Sequence, residues 1–206
     1  MTNCIEIKGL CKSYGDFALK NIDLTLPGGS ILGLIGENGA GKTTTIKCIL
    51  NLIHRDAGEI SLLGYDNVRE EQLAKQDIGL VLDECFFHDT LRPLDVGKIL
   101  APAYRQWDQK LFRDYLGKFG LPEKKLIKEF SRGMKMKLSL SAALAHRPKL
   151  LILDEATAGL DPVVRDEILD EFLAFIQDED HAILMSSHIT SDLEKVADYI
   201  AYIHQG

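Results

Sequence analysis

Gly36-Glu37-Asn38-Gly39-Ala40-Gly41-Lys42-Thr43 is the stretch of this sequence with the plainest chemical content. Its residue types fit G-x-x-x-x-G-K-[ST], and the context fits too: an apolar run, Ile31 to Ile35, precedes it, and a helical stretch predicted from Thr44 to Leu52 follows. Glycine lets successive backbone N–H groups turn inward around an anion, and the N-terminal end of the next helix adds positive potential. Lys42 would then reach the β- and γ-phosphates of a nucleotide, and Thr43 would offer a hydroxyl to Mg²⁺. The candidate phosphate-binding residues run from Gly36 through Thr44. Alone, the loop implies a nucleoside triphosphate and suits a kinase, a GTPase or a recombinase equally.

Two further elements narrow the choice. Leu150-Leu151-Ile152-Leu153 is an apolar strand that ends in Asp154 and Glu155. That arrangement places Asp154 beside the shell of Mg²⁺ and Glu155 beyond it, toward the γ-phosphate, as a base for water. His188 follows a second apolar run, Ala182 to Met185, where a neutral imidazole can hydrogen-bond a γ-phosphate and orient water. A lone histidine at a strand end is more often structural; the Asp154-Glu155 strand that precedes it in the chain shifts the balance toward chemistry. Ser131 is a good N-cap for a helix predicted from Met134 to Ala145, which sets Ser131 and Gly133 at a positive helix end able to bind phosphate.

The elements that must hold these residues follow from periodicity. Ile22, Leu24 and Leu26 alternate with polar residues as a half-buried strand does, before a Pro27-Gly28-Gly29-Ser30 turn, so the chain is expected to open with an antiparallel layer. Ile31 to Ile35, Ile78 to Leu82, Leu150 to Leu153 and Ala182 to Met185 are apolar throughout, as strands covered on both faces are, and helical patterns separate them. That alternation predicts an α/β fold with a mostly parallel sheet. Phe112, Leu116 and Phe119 share a helical face in a stretch read as a helical insertion, about residues 85–145 with the signature helix included. Asp161 and Pro162 are an N-cap and first helical residue, opening a helix with Ile168, Leu169, Phe172 and Ile176 on one face.

Composition bounds the function. The 206 residues, 46% hydrophobic and 27% charged, suit one domain, residues 1–206, with a substantial core. A formal net charge of -7 argues against a surface that wraps nucleic acid. The four cysteines form no C-x-x-C pair and indicate neither zinc nor disulfides, and no apolar run approaches the roughly 18 residues of a membrane span. Neither a signal pattern nor a span is expected.

Taken in order, these motifs resemble the ABC ATPase family over nearly the whole chain. Phe130-Ser131-Arg132-Gly133-Met134-Lys135 is similar to the family's signature sequence, Ala158-Gly159-Leu160-Asp161 to its D-loop, and Ser187-His188 to its switch histidine. The resemblance implies ATP and Mg²⁺ as ligands, with Lys42, Glu155 and His188 acting on the phosphate. It implies that Ser131 and Gly133 face the nucleotide of a second ATP-binding subunit, identical or different. Tyr14, in Lys12-Ser13-Tyr14-Gly15, resembles the aromatic that stacks on adenine; a surface tyrosine in a turn is the plainer alternative.

Three departures qualify the resemblance. Arg132 stands where the signature usually has glycine, and Met134 where it has glutamine. The loop after Ile78 to Leu82 normally carries a glutamine that touches Mg²⁺; here Asp83 or Glu84 takes that place, and Asp83 is the candidate metal ligand. An acidic residue there resembles the branch whose ATPase subunits pair with a separate transmembrane permease, exporting drugs, peptide antibiotics, ions or polysaccharides. The expected location is then cytoplasmic, on the inner face of the membrane through the permease. The end at Gly206 reads as a trimmed or a naturally short subunit. The alternative function is a soluble ABC-type ATPase acting on ribosomes or DNA, although tandem cassettes and basic patches are not in evidence.

Overall fold

The computed structural model describes residues 2–206. β1 (Asn3–Tyr14) and β2 (Phe17–Pro27) form a long hairpin that joins β4 (Ala57–Leu62) and β5 (Tyr65–Asp66) in an antiparallel sheet of order β2-β1-β4-β5. This is the expected opening layer, enlarged by β1, β4 and β5. Along β2, Leu26 is buried and Ile22 and Leu24 half-buried while Asp23 and Thr25 are exposed, so the period of two is kept.

The second sheet is parallel. β3 (Ser30–Ile35), β6 (Ile78–Val81), β7 (Leu150–Asp154), β8 (Ala182–Ser186) and β9 (Tyr199–Tyr202) lie in the order β6-β7-β8-β3-β9. Continuous apolar runs are explained by two covered faces. Leu150 and Ile152 point to one core, shared with Ile5, Ile7 and Leu26 of the hairpin layer and Ile46 of α1 (Lys42–Ile49). Leu151 and Leu153 point to the opposite core, with Ile168 and Phe172 of α6 (Pro162–Phe175) and Leu193 of α7 (Thr190–Val196). Burying each such side chain contributes about 1.5–3 kcal/mol, so a polar residue on either face of β7 would be costly.

Between β6 and β7 the chain leaves the sheet. A short α2 (Glu71–Gln76) precedes β6, and α3 (Pro93–Leu100), α4 (Gln109–Lys118), a 3₁₀ turn at Ile127–Glu129 and α5 (Arg132–Leu144) then pack around a third core of Phe112, Leu116, Ile127 and Leu138. Asp108 caps α4 by accepting from the Leu111 N–H at 2.9 Å, and Ser131 caps α5 by accepting from Met134 at 3.2 Å. Asp161 likewise caps α6 through Val164 N–H, with Pro162 in the first helical position.

Two helix boundaries differ from the expected ones. α1 begins at Lys42 rather than Thr44, because Gly41 at φ 118° turns the chain directly into the helix, and it ends at Ile49, where Leu50 caps it and Asn51 adopts a left-handed φ of 52°. α5 starts at Arg132, one residue after its cap, rather than at Met134.

Candidate functional site

The carboxyl ends of three adjacent strands assemble the site. In the ladders Leu34 of β3 lies opposite Ser186 of β8, and Ser186 opposite Asp154 of β7. The residues that follow those strands therefore emerge side by side, as ligand-binding loops do in open parallel sheets. The phosphate loop follows β3, Glu155 follows β7 and His188 follows β8.

Glycine is obligatory at two points of the loop. A β-carbon at Gly36 would fall 2.4 Å from the Ile203 carbonyl oxygen; at Gly41, besides its positive φ, one would fall 2.6 Å from Leu19 Cδ2. Lys42, only 6% exposed, folds back over the loop, its Nζ donating to the carbonyls of Gly36 at 2.8 Å and Glu37 at 3.3 Å. The ammonium is thereby held at the mouth of the cradle, 3.6 Å from Glu155 Oε1.

Glu155 sits in the left-handed region, φ 53°, which a non-glycine residue adopts at a cost of about 1–3 kcal/mol. Its N–H donates to Ser186 Oγ at 3.1 Å and to Ser186 O at 3.2 Å, which offsets that cost and fixes the turn. Its Oε2 lies 2.6 Å from His188 Nδ1. Beneath it, buried Asp154 accepts from the fully buried Ser186 hydroxyl at 2.5 Å, so one carboxylate oxygen is committed and the other retained. Ser186 was not a sequence candidate. A serine at the end of an apolar run carries no signal alone; the strand register, which sets it opposite Asp154, identifies it.

These groups open on one cavity of about 350 Å³. Glu37, Asn38, Gly39 and Gly41 through Thr44 form one wall, and Asp83, Glu155 and His188 face them. The candidate site residues are therefore largely brought together. Gly36 serves through its carbonyl, Ala40 lines an adjoining cavity of about 380 Å³ beside the β1–β2 turn, and Asp154 lies under Glu155.

Others stand apart. Tyr14, about half exposed at the end of β1, has the Lys12 ammonium 5.2 Å from its ring centre and is absent from the lining of both cavities. Phe17, its antiparallel partner across the turn, lines both. No sequence feature singled Phe17 out; the two-residue hairpin turn sets it opposite Tyr14. Ser131 is exposed at the start of α5 and Gly133 is buried against Val164, both outside the cavity lining, whereas Arg132 between them lines it. Glu84 lines a neighbouring cavity of about 330 Å³ that also includes Asp83 and Arg132.

The donor set fits Mg²⁺. Thr43 and Asp83 line the cavity with a hydroxyl and a carboxylate, and Asp154, buried and outside the lining, adjoins Glu155 in the chain. Hard oxygens in this number suit an ion that completes its shell with phosphate oxygens and water.

Comparison with known proteins agrees with the geometry. A family model described as ABC transporter matches residues 19–158. The chain is 36% identical over 205 residues to the lantibiotic transport ATP-binding protein SrtF of Streptococcus pyogenes, covering 98% of this chain and 87% of that one. It is 34% identical over 209 residues to the bacitracin transport ATP-binding protein BcrA of Enterococcus faecalis, covering 100% of this chain and 68% of the relative. It is 36% identical to the linearmycin resistance ATP-binding protein LnrL of Bacillus subtilis, with 98% and 67% covered. A solved structure of an ATP-binding subunit of an ABC transporter superposes with a TM-score of 0.90 at 28% identity, covering 98% of this chain and 87% of that one. With its α/β architecture, its phosphate loop and its acidic strand end, the chain belongs to the ATP-binding subunits of the ABC transporter family, which hydrolyse ATP to power transport.

Proposed function

We propose that this subunit powers a separate membrane permease that exports an antibiotic-like molecule. The observation that carries the reading is the convergence of Lys42, Glu155 and His188 on one cavity beside the phosphate loop. Thr43, Asp154 and Asp83 would hold Mg²⁺, which when bound with ATP would supply neutralisation of the phosphate charge. Lys42 neutralises the β- and γ-phosphates, Glu155 accepts the proton of the attacking water, and His188 holds that water against the γ-phosphate.

Ser131 and Gly133 lie outside their own chain's cavity, which supports their acting on the nucleotide of a second ATP-binding subunit, so that two copies close over two ATP molecules. The helical insertion of about residues 85–145 is the part that transmits this closure to the permease, the rest of the chain forming one domain with it. Among the described residues no helix is long and apolar enough to cross a membrane. The relatives named for lantibiotic transport, bacitracin transport and linearmycin resistance support export, and an antibiotic as cargo.

The test is co-expression with a candidate multi-span permease. Copurification from detergent-solubilised membranes, together with raised resistance of the host to such antibiotics that Lys42→Ala abolishes, supports the reading. A chain that copurifies with ribosomes and leaves the permease behind contradicts it.

A further inference from the structure

Arg132 is the first residue of α5, yet its side chain reaches back to the cavity of its own chain. It lies flat against the 158–161 loop: a β-carbon at Gly159 would be 3.1 Å from its Nη1 and 3.2 Å from its Cζ. It also forms part of the wall shared with the neighbouring cavity, where Asp83 and Glu84 stand.

Charge decides what this side chain is for. The phosphate cavity is lined by three carboxylates, Glu37, Asp83 and Glu155, and by two cations, Lys42 and Arg132. Lys42 is already engaged by two carbonyls and faces Glu155. Arg132 is exposed and has no ion pair or hydrogen bond among the described residues. A polyphosphate entering a cavity with an excess of carboxylates requires additional positive charge, and the guanidinium fork is the uncommitted cation in the lining.

We propose that Arg132 binds the terminal phosphate of the nucleotide held by its own chain, in addition to whatever the neighbouring Ser131 and Gly133 do for a second subunit. The inference rests on the reading of the cavity as the ATP site. Because Arg132 begins α5, occupancy of the γ position would draw the first turn of α5 toward the phosphate loop. A diphosphate, lacking that group, would leave Arg132 unengaged. Arg132 is thus a nucleotide-binding residue that distinguishes ATP from ADP within one chain.

The experiment is nucleotide binding by calorimetry at concentrations where light scattering finds single chains, using Mg²⁺ with ADP and with an ATP analogue whose β–γ bridge is an imido group. Arg132→Ala is expected to weaken the triphosphate about tenfold, the scale of a charge-assisted hydrogen bond, and to leave ADP unchanged. Arg132→Lys keeps the charge without the fork and should fall between wild type and alanine. Unchanged melting of both nucleotide-free variants excludes a folding defect. The inference is overturned if Arg132→Ala binds the triphosphate as wild type does, or if both nucleotides weaken equally. Lys42→Ala separates the two layers of reasoning: it should weaken both nucleotides, and if it weakens neither, the assignment of the cavity itself falls.

Discussion

Glu155 divides its carboxylate between two partners, with Oε2 2.6 Å from His188 Nδ1 and Oε1 3.6 Å from Lys42 Nζ. The proposed base, the histidine proposed to hold the attacking water and the cation proposed to meet the phosphates are thus linked before any substrate is considered. Contact at Nδ1 leaves His188 Nε2 for the reacting phosphate or water. On the proposed function, a γ-phosphate that takes over Lys42 would free Oε1 of Glu155.

Ser186 holds Asp154 through a buried 2.5 Å hydrogen bond. Ser186→Ala is expected to raise the Mg²⁺ concentration for half-maximal ATP hydrolysis about tenfold, the scale of losing a group that orients a metal ligand. Leaving the buried carboxylate oxygen without its donor should also lower stability by about 1–3 kcal/mol. Titrating hydrolysis against free Mg²⁺ and unfolding with urea read the two effects separately; an unchanged Mg²⁺ midpoint removes Asp154 from the metal site.

Asp83 and Glu84 are adjacent in sequence and both line the neighbouring cavity, but of the two only Asp83 also lines the phosphate cavity. A carboxylate in the cavity attracts Mg²⁺ and repels the γ-phosphate. At an effective dielectric of 20, a unit charge about 4 Å away is worth roughly 4 kcal/mol, so its removal should be visible in kinetics. Asp83→Gln is expected to shift the Mg²⁺ midpoint or the maximal rate of ATP hydrolysis, and Glu84→Gln to shift neither. Identical profiles for wild type and Asp83→Gln would exclude Asp83 from the metal.

His146, just past the end of α5, stacks on Tyr104 with ring centres 3.9 Å apart, is 1% exposed, and has no hydrogen-bond partner for either ring nitrogen among the described residues. Burial pushes its pKa from the ordinary 6.5 down to about 4. The sign follows directly: below pH 6.5 the unfolded chain takes up a proton that the folded chain refuses until about pH 4, so stability falls with pH across that window. Between pH 7 and pH 5 the loss from this residue should be about 2 kcal/mol. His146→Phe, which retains the stack, should lose that much less over the same interval. Urea midpoints at the two pH values measure it, and parallel losses in both proteins would refute the assignment.

Much of this was legible in the sequence because the chemistry and the folding signals coincide. The runs at Ile31, Leu150 and Ala182 are apolar on both faces because helices and the hairpin layer cover both faces, and their ends carry the phosphate loop, Glu155 and His188. What escaped depends on register and turn geometry rather than residue type. Ser186 matters because it pairs across a ladder with Asp154, and Phe17 reaches the cavities because a tight turn sets it opposite Tyr14. Arg132 was visible as a departure from the signature, but only the folded chain shows its guanidinium lying against Gly159.

The most direct test of the whole account is phosphate release by Glu155→Gln with Mg²⁺ and ATP, alongside ATP binding by the same protein. Glutamine keeps the shape and the contact to His188 but cannot accept the proton of water. Hydrolysis should fall at least about 10²-fold while ATP binding is retained. A variant that still binds ATP and releases phosphate at the wild-type rate would show that Glu155 is not the base and that the site works by other residues.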